Sequence, residues 1–143
     1  MSPPPGRVAS IQLCVGHRVP MAKPAEAVAR PGFGLEGDRH ARAGSVRQVL
    51  LADAAVLAAE GLPPGGIREN LTVEGLGVDA LAVGTLLRCG ETVLRVVHAC
   101  EPCGQMDEIR PGLQERLRGR RGMLTVVETG GRIRVGDAIA PLA

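Results

Sequence analysis

The sequence predicts a mainly β protein, a closed or nearly closed β-barrel with two or three short helices. Three observations support this fold class. Short apolar runs are separated by Gly, Pro and Asp, a pattern typical of strands joined by tight turns. The chain has 143 residues, the size of one ordinary domain. Trp and Tyr are absent and Phe33 is the single Phe, so Val, Leu, Ile and Ala must fill the core.

The first half of the chain alternates strands with loops. Residues 1–7 are Pro-rich and are expected to form a disordered leader, whereas residues 8–143 are expected to form a single domain. The apolar runs predict strands over residues 8–15, 26–30, 46–51 and 71–74. Residues 52–60 are Ala-rich and predict a short helix that Gly61 and the following Pro63-Pro64 pair stop.

The second half continues the same pattern. Strands are predicted over residues 85–89 and 92–98, with a hairpin-like join between them. Leu113 and Leu117, four residues apart, predict a short amphipathic helix over residues 111–118, and Pro111 suits its first turn. Strands over residues 123–129, 132–135 and 138–140 complete the chain. A closed sheet of such short strands leaves no exposed edge.

Composition and charge disfavour several function classes. The formal net charge is +2, and the lack of aromatic side chains disfavours single-stranded nucleic acid, which binds by stacking. Lys23 is the only lysine, and its place in a Pro-flanked loop disfavours a resident pyridoxal phosphate, whose Schiff base needs a positioned amine. No apolar run resembles a signal peptide or approaches the roughly 20 residues of a membrane span. We therefore expect a cytoplasmic protein that binds neither nucleic acid nor membrane.

The segment Cys100-Glu101-Pro102-Cys103 is the strongest chemical signal. In a reducing compartment, a close cysteine pair is more often metal-binding or reactive than a structural disulfide. From these residues alone three interpretations stay open: a zinc site completed by residues such as His98 and His40, a redox pair, or two small buried side chains.

Three polar loops offer groups that suit an anion. Arg is well matched to phosphate and carboxylate because its planar guanidinium binds them bidentately. Each loop on its own is also compatible with a solvated turn, and for the loop with Arg120 and Arg121 the solvated turn is the favoured interpretation. The candidate binding residues in these loops are Gly37, Asp38, Arg39, His40, Arg68, Asn70, Arg120 and Arg121.

Taken together, the order and spacing of these segments resemble the MOSC domain, named for the C-terminal part of molybdenum cofactor sulfurase. The resemblance runs over nearly the whole chain, from about Val8 to Pro141. The segments that carry it are residues 34–40 (GLEGDRH), 68–75 (RENLTVEG), 83–87 (VGTLL), 100–103 (CEPC), 119–122 (GRRG), 130–133 (GGRI) and 135–137 (VGD).

This resemblance implies a β-barrel and a role in molybdenum cofactor or sulfur handling. In cofactor-bearing relatives, such as the mitochondrial amidoxime-reducing component, the second cysteine of such a pair ligates molybdenum, which implies that role for Cys103. An Arg-x-Asn segment in the same relatives contacts the pterin phosphate, and it matches Arg68 and Asn70. The predicted helix at residue 111 starts eight residues after Cys103, so we expect nearby Arg side chains or backbone amides to act on the thiol instead.

Two functional hypotheses follow from the resemblance, and a third follows from the residues alone. The protein binds molybdopterin through Cys103, and as an enzyme it would reduce N-hydroxylated compounds with electrons from a separate partner. Alternatively, Cys103 carries sulfur received from a desulfurase partner, and pyridoxal phosphate belongs only to that partner. The third hypothesis is a non-catalytic zinc-binding or structural barrel. The sequence leaves open whether the protein is an enzyme or a carrier.

Overall fold

Ten strands and three short helices form the fold in the computed structural model, which describes residues 4–142. The strands are β1 (Gly6–Ile11), β2 (Glu26–Arg30), β3 (Gly34–Leu35), β4 (Val49–Asp53), β5 (Leu71–Glu74), β6 (Leu86–Cys89), β7 (Thr92–Ala99), β8 (Met123–Thr129), β9 (Gly131–Arg134) and β10 (Ala138–Pro141). The helices are α1 (Ala54–Ala59), α2 (Gly104–Ile109) and α3 (Leu113–Arg116), with a 3₁₀ turn at Val78–Ala80.

Seven of these strands close into a barrel in the order β1-β10-β6-β7-β8-β4-β5. Pairing of β1 with β5 joins the two ends of the sheet. Strands β4 and β5 run parallel, because α1 and the loop after it return the chain to the end at which β4 began. Strands β3, β2 and β9 form a separate three-stranded sheet. The predicted β-barrel is therefore confirmed.

Successive side chains of each barrel strand point alternately to the inside and to the outside of the barrel. On β4, Val49 and Leu51 belong to the main core inside the barrel, whereas Leu50 lies on the outside with Cys100 and Leu124. Full burial of one such aliphatic side chain contributes about 1.5–3 kcal/mol. The small outer cluster matters for function because it brings the end of β7 close to β4.

A second apolar cluster fixes the helices to the outside of the barrel. Helix α1 begins at Asp53, whose Oδ1 accepts the N–H of Ala55 at 2.9 Å, a favourable N-cap. The buried side chains of this cluster come from all three helices and from the strand and loop beside them: Ala52, Leu57, Ile67, Met106, Leu113 and Leu117. The chain between β7 and β8 is thus anchored over α1.

Several predicted boundaries change in the structure. The first strand ends at Ile11, not at residue 15, because the backbone of residues 12–14 bonds to neighbouring loops. The helix predicted over residues 111–118 is shorter, and α2, β3 and the 3₁₀ turn were not predicted. Of the expected leader, residues 1–3 lie outside the described residues, whereas Gly6 and Arg7 belong to β1.

Candidate functional site

Asn70 joins three segments of the chain just before β5. Its Nδ2 donates to the Gln12 carbonyl at 3.1 Å and to Asp38 Oδ1 at 3.2 Å, and its Oδ1 accepts the Leu50 N–H at 2.9 Å. The Asn70 N–H also bonds the Leu50 carbonyl at 2.9 Å. Both hydrogens of the side-chain amide are therefore donated inside the protein, and the amide fixes the loops that follow β1 and β3 against β4.

Asp38 holds the loop that contains Cys14. Its Oδ1 accepts the Cys14 N–H at 2.7 Å, and the N–H of Arg39 bonds the Cys14 carbonyl at 2.7 Å. The second oxygen of Asp38, Oδ2, is buried and finds no donor among residues 4–142. A buried polar atom without a partner is costly. Gly37, just before Asp38, is exposed and has a φ of +86°.

Arg68 stands in a backbone conformation that non-glycine residues seldom adopt, with φ at +63°. Its guanidinium reaches across to the Cys14 loop. Nη1 donates to the Val19 carbonyl at 3.0 Å, and Nη2 donates to the Gly16 carbonyl and to Cys14 Sγ, both at 3.3 Å. Such strain persists only where the surroundings impose it, and it is concentrated at functional sites.

The carboxylate of Glu69 holds the turn that precedes Arg68. Its side chain is fully buried, and its carboxylate accepts the N–H groups of Gly65 at 2.8 Å and Ile67 at 3.3 Å. The Thr72 hydroxyl completes the set with a 2.6 Å hydrogen bond to Oε2. The turn before Arg68 is therefore tied to a buried carboxylate, so the guanidinium is presented at a defined place.

A cavity of about 430 Å³ opens between these loops and helix α2. Arg39, His40 and Arg68 line it, so two of the sequence-predicted loops meet here although they lie about 30 residues apart. On the other side it is lined by Gln105, Glu108 and Ile109 of α2. The volume falls within the range of small-ligand sites, and the charged residues that line it are three arginines and one glutamate.

Four further residues of the cavity were not predicted from sequence. Cys14, His17 and Arg18 come from the loop after β1, and Glu108 comes from α2. Arg18 and Glu108 form an exposed ion pair at 2.9 Å, which links the two walls. Cys14 lies within the strand predicted over residues 8–15, whereas no element was predicted for His17, Arg18 or helix α2.

Cys103 lies where the β7 segment turns into α2. It is exposed, whereas Cys14, Cys89 and Cys100 are buried. Cys103 is the N-cap residue of α2, and its carbonyl accepts the Met106 N–H at 2.9 Å. The expectation that the nearest helix starts eight residues away was therefore wrong, since the short helix α2 had no clear sequence signal.

The side chains of Arg120 and Arg121 lie in different surroundings. Arg120 donates to Glu60 Oε2 at 2.9 Å, in a cluster with Arg110 and Arg116. Arg121 is only 7% exposed, and its Nε and Nη1 find no acceptor among residues 4–142. Burial lowers the pKa of Arg121, and the Cys100 and Cys103 sulfurs raise it. The Gly122 carbonyl accepts the Cys100 N–H at 2.9 Å, so the backbone next to Arg121 lies against the cysteine segment, whereas the Arg120 side chain is paired with Glu60.

No group of three or more His, Cys, Asp or Glu side chains within residues 4–142 is arranged to hold a metal ion. In this part of the chain, His98 instead places its Nδ1 2.8 Å from the Ala99 carbonyl. Within the same residues, no helix is long and apolar enough to cross a membrane.

The fold and the site together define a small β-barrel protein in which an exposed cysteine, Cys103, caps the helix that forms one wall of an arginine-lined cavity, although Cys103 is not itself a lining residue. The chain belongs to the MOSC domain family, whose model matches residues 41–140. Comparison with curated protein sequences gives no significant match.

Solved structures share the fold at low sequence identity. YuaD from Bacillus subtilis superposes with a TM-score of 0.80 at 19% identity, covering 94% of this chain and 93% of that chain. YiiM from Geobacillus stearothermophilus gives 0.79 at 18% identity, covering 97% and 76%. YiiM from Escherichia coli gives 0.73 at 19% identity, covering 96% and 70%. At this level of identity the likeness concerns the fold alone.

Proposed function

We propose that this protein binds the molybdenum cofactor, with Cys103 as the molybdenum ligand and basic residues of the cavity on the phosphate. One observation carries the proposal. Arg39, His40 and Arg68 line a single cavity with the helix that Cys103 caps, although these segments are widely separated in sequence. Membership of the MOSC family supports the same cofactor.

The residues present fit such a group. A cysteine thiolate is a soft ligand suited to a transition metal, and Cys103 is exposed at the segment that ends in α2. The cofactor carries a phosphate, and Arg39 and Arg68 offer guanidinium donors in the cavity. The buried Arg121 guanidinium, with two unpartnered nitrogens, adds a positive charge near the thiol. This donor set favours an anionic ligand that also has an affinity for sulfur.

Each residue has a distinct part in this proposal. Arg68 contacts the phosphate, and Glu69 keeps it in its strained conformation through the turn at Gly65. Asn70 acts as a positioning residue, because both of its amide hydrogens are already donated to protein groups. Asp38 orients the Cys14 loop that forms one wall. When bound, the cofactor supplies a redox centre, and the reaction it would serve is reduction of N-hydroxylated compounds with a separate electron donor.

The test is cofactor loading in the full chain. The protein is purified from a host that makes the cofactor, and bound molybdenum and pterin are measured per chain. Loss of charge-assisted hydrogen bonds in Arg68→Met is expected to weaken pterin binding by about 10- to 100-fold. Arg88→Met, which removes an exposed Arg on β6, serves as the charge-matched control and keeps the wild-type content.

Two results would contradict the proposal. The first is that wild-type protein contains neither molybdenum nor pterin when it is purified from a host in which another MOSC protein does contain the cofactor. The second is that Arg68→Met retains as much pterin as Arg88→Met, which would remove Arg68 from the binding site.

A second candidate function, sulfur carriage, is favoured by the exposure of Cys103. A carrier must present its thiol to a partner protein, and among the four cysteines Cys103 is the accessible one. We expect incubation with a pyridoxal-phosphate desulfurase and cysteine to add one sulfur to the wild-type mass. Cys103→Ala should not acquire it, and an equal adduct on this variant would exclude Cys103 as the carrier.

A further inference from the structure

Arg121 is a buried cation without a counterion in hydrogen-bond contact. Its residue is 7% exposed, and Nε and Nη1 lack an acceptor among residues 4–142. An Arg side chain stays charged in proteins, and enclosing an unpaired charge is strongly unfavourable. Such a group is retained when a negative charge arrives from elsewhere, so the surroundings of Arg121 indicate where that charge would lie.

The backbone of Gly122, directly after Arg121, is hydrogen-bonded to the cysteine segment. The Gly122 carbonyl accepts the Cys100 N–H at 2.9 Å, and the Gly122 N–H donates to Asp79 Oδ1 at 2.9 Å. A Cβ at Gly122 would lie 2.1 Å from the Leu51 carbonyl oxygen. This tight packing leaves residue 121 little freedom to move away from the chain that leads to Cys103.

The charges around Arg121 do not neutralise it. Burial is the main influence on its pKa and lowers it, whereas Cys100, Cys103 and Glu69 raise it. Glu69 supplies one negative charge, but its carboxylate accepts hydrogen bonds from three other protein donors. Arg47 adds a like charge and lowers the pKa of Arg121 further. Arg121 and Arg47 therefore outnumber the single carboxylate of Glu69, and the exposed Cys103 thiol is among the groups that act on the pKa of Arg121.

We propose that Arg121 is a specificity-determining residue for reactions at Cys103, selecting anionic molecules over neutral ones. The inference rests on the second candidate function, in which Cys103 is a reacting thiol and not a metal ligand. The class of partner it names is a small molecule that carries a carboxylate, sulfonate or phosphate close to the atom that the sulfur attacks. The cavity arginine Arg68 differs from Arg121 because protein groups, two carbonyls and Cys14 Sγ, already accept hydrogen bonds from its Nη1 and Nη2.

A pair of alkylating reagents tests this selection. Iodoacetate and iodoacetamide differ in charge and react in the same way: the Cys103 sulfur bonds to the methylene carbon, iodide leaves and the thiol proton goes to solvent. The full chain is treated with each reagent at one pH and low salt, and mass spectrometry of peptides follows Cys103. We expect the iodoacetate-to-iodoacetamide rate ratio to be about tenfold higher in wild type than in Arg121→Met, a difference of about 1.4 kcal/mol.

Matched variants separate the effect of the charge on Arg121 from the effect of the protein's net charge. Arg121→Lys keeps the charge and should keep most of the selectivity, whereas Arg88→Met loses an exposed charge on β6 and should keep all of it. The core residue Cys89 is fully buried, so its failure to react shows that a variant is folded. An unchanged ratio in Arg121→Met, or an equal loss in Arg88→Met, would overturn the inference.

The wild type alone provides a second measurement that needs no variant. The Cys103 rate ratio in the folded chain should exceed the ratio in the urea-unfolded chain by about tenfold and should fall as salt is added. Equal ratios in the two states would refute the selection. Because neither measurement involves molybdenum, a failure of cofactor loading and a failure of this inference can be told apart.

Discussion

Asn70 and Arg68 show how single side chains build the site. Asn70 joins the loop after β1, the loop after β3 and strand β4 through its one amide. Two residues earlier, Arg68 adopts a φ of +63° and donates to three groups of the Cys14 loop. Asn70 therefore fixes the three segments relative to one another, and Arg68 holds a positive charge in a defined position among them.

At the residue scale, the close packing of Gly122, the residue after Arg121, can be tested by its effect on stability. Its φ is +104°, and a Cβ would lie 2.1 Å from the Leu51 carbonyl oxygen. We expect Gly122→Ala to lower the free energy of unfolding by about 3 kcal/mol or more, because the backbone of β4 cannot yield easily. Urea-induced unfolding followed by circular dichroism measures the change.

Gly104→Ala is the matched control. No heavy atom lies within 4 Å of its added Cβ, and the residue opens helix α2. Alanine there should be neutral or stabilising by up to about 1 kcal/mol. A similar loss in both variants would show that Gly122 has no special constraint.

Only part of the site can be predicted from single residues. Arg39, His40 and Arg68 stand in polar loops with glycines nearby, which is a readable signal, and they do line one cavity. Cys14 follows an apolar run and was included in the strand predicted over residues 8–15, so its contact with Arg68 was not anticipated. Whether a given Arg is free or paired also depends on distant residues: Arg120 is held by Glu60, 60 positions earlier.

At the element scale, a cluster of ion pairs fastens the segment between β7 and β8. The Glu60 side chain is 2% exposed and contacts Arg110, Arg116 and Arg120. Glu60 follows α1, whereas its partners flank or belong to α3. Together with the apolar side chains of Leu57 and Met106, the cluster ties down the segment that starts at Cys103 and ends at Arg121.

This cluster predicts a dependence of stability on pH. Hydrogen bonds from Arg116 and Arg120 lower the Glu60 pKa from 4.5 to about 2. Above about pH 4.5 the carboxylate is charged in both states and its contribution is fully present. As the pH falls from about 4.5 to about 2, the unfolded state binds the proton first, so stability is lost.

Glu60→Gln isolates this contribution. We expect the variant to be less stable than wild type at pH 7, with a difference that shrinks as the pH approaches 2. Glu115→Gln, which removes an exposed partner of Arg118, should differ little from wild type at any pH. Urea unfolding at several pH values measures this, and parallel curves for wild type and Glu60→Gln would contradict the expectation.

The elements were unevenly predictable for physical reasons. Residues 26–30, 71–74 and 123–129 are apolar runs bounded by polar or turn residues, and each is a strand. Helix α2 spans six residues and starts with Gly104, so its intrinsic propensity is too weak to indicate a helix. Its burial of Met106 against Leu57 and Leu113 stabilises it, and that tertiary contact cannot be read from a single sequence.

At the scale of the whole molecule, the barrel brings distant loops to one side. The end of β7 pairs with the start of β8, and Leu71 of β5 is level with both Leu51 of β4 and Ile11 of β1. The loops that extend from these strands therefore meet around Leu50 and Cys100. Closure of the barrel was predictable from many short strands, whereas this meeting depends on strand order.

The family assignment and the cavity together support the central claim that Cys103 holds molybdenum in a bound cofactor. The most direct test is the molybdenum content per chain of wild type and Cys103→Ser, purified side by side from a host that makes the cofactor. We expect about one molybdenum per chain in wild type, accompanied by pterin, and at least a tenfold loss in the variant, since a serine hydroxyl is a poor ligand for a soft metal site. Equal molybdenum in both proteins would contradict the assignment of Cys103, and its absence from the wild type would contradict the proposed function itself.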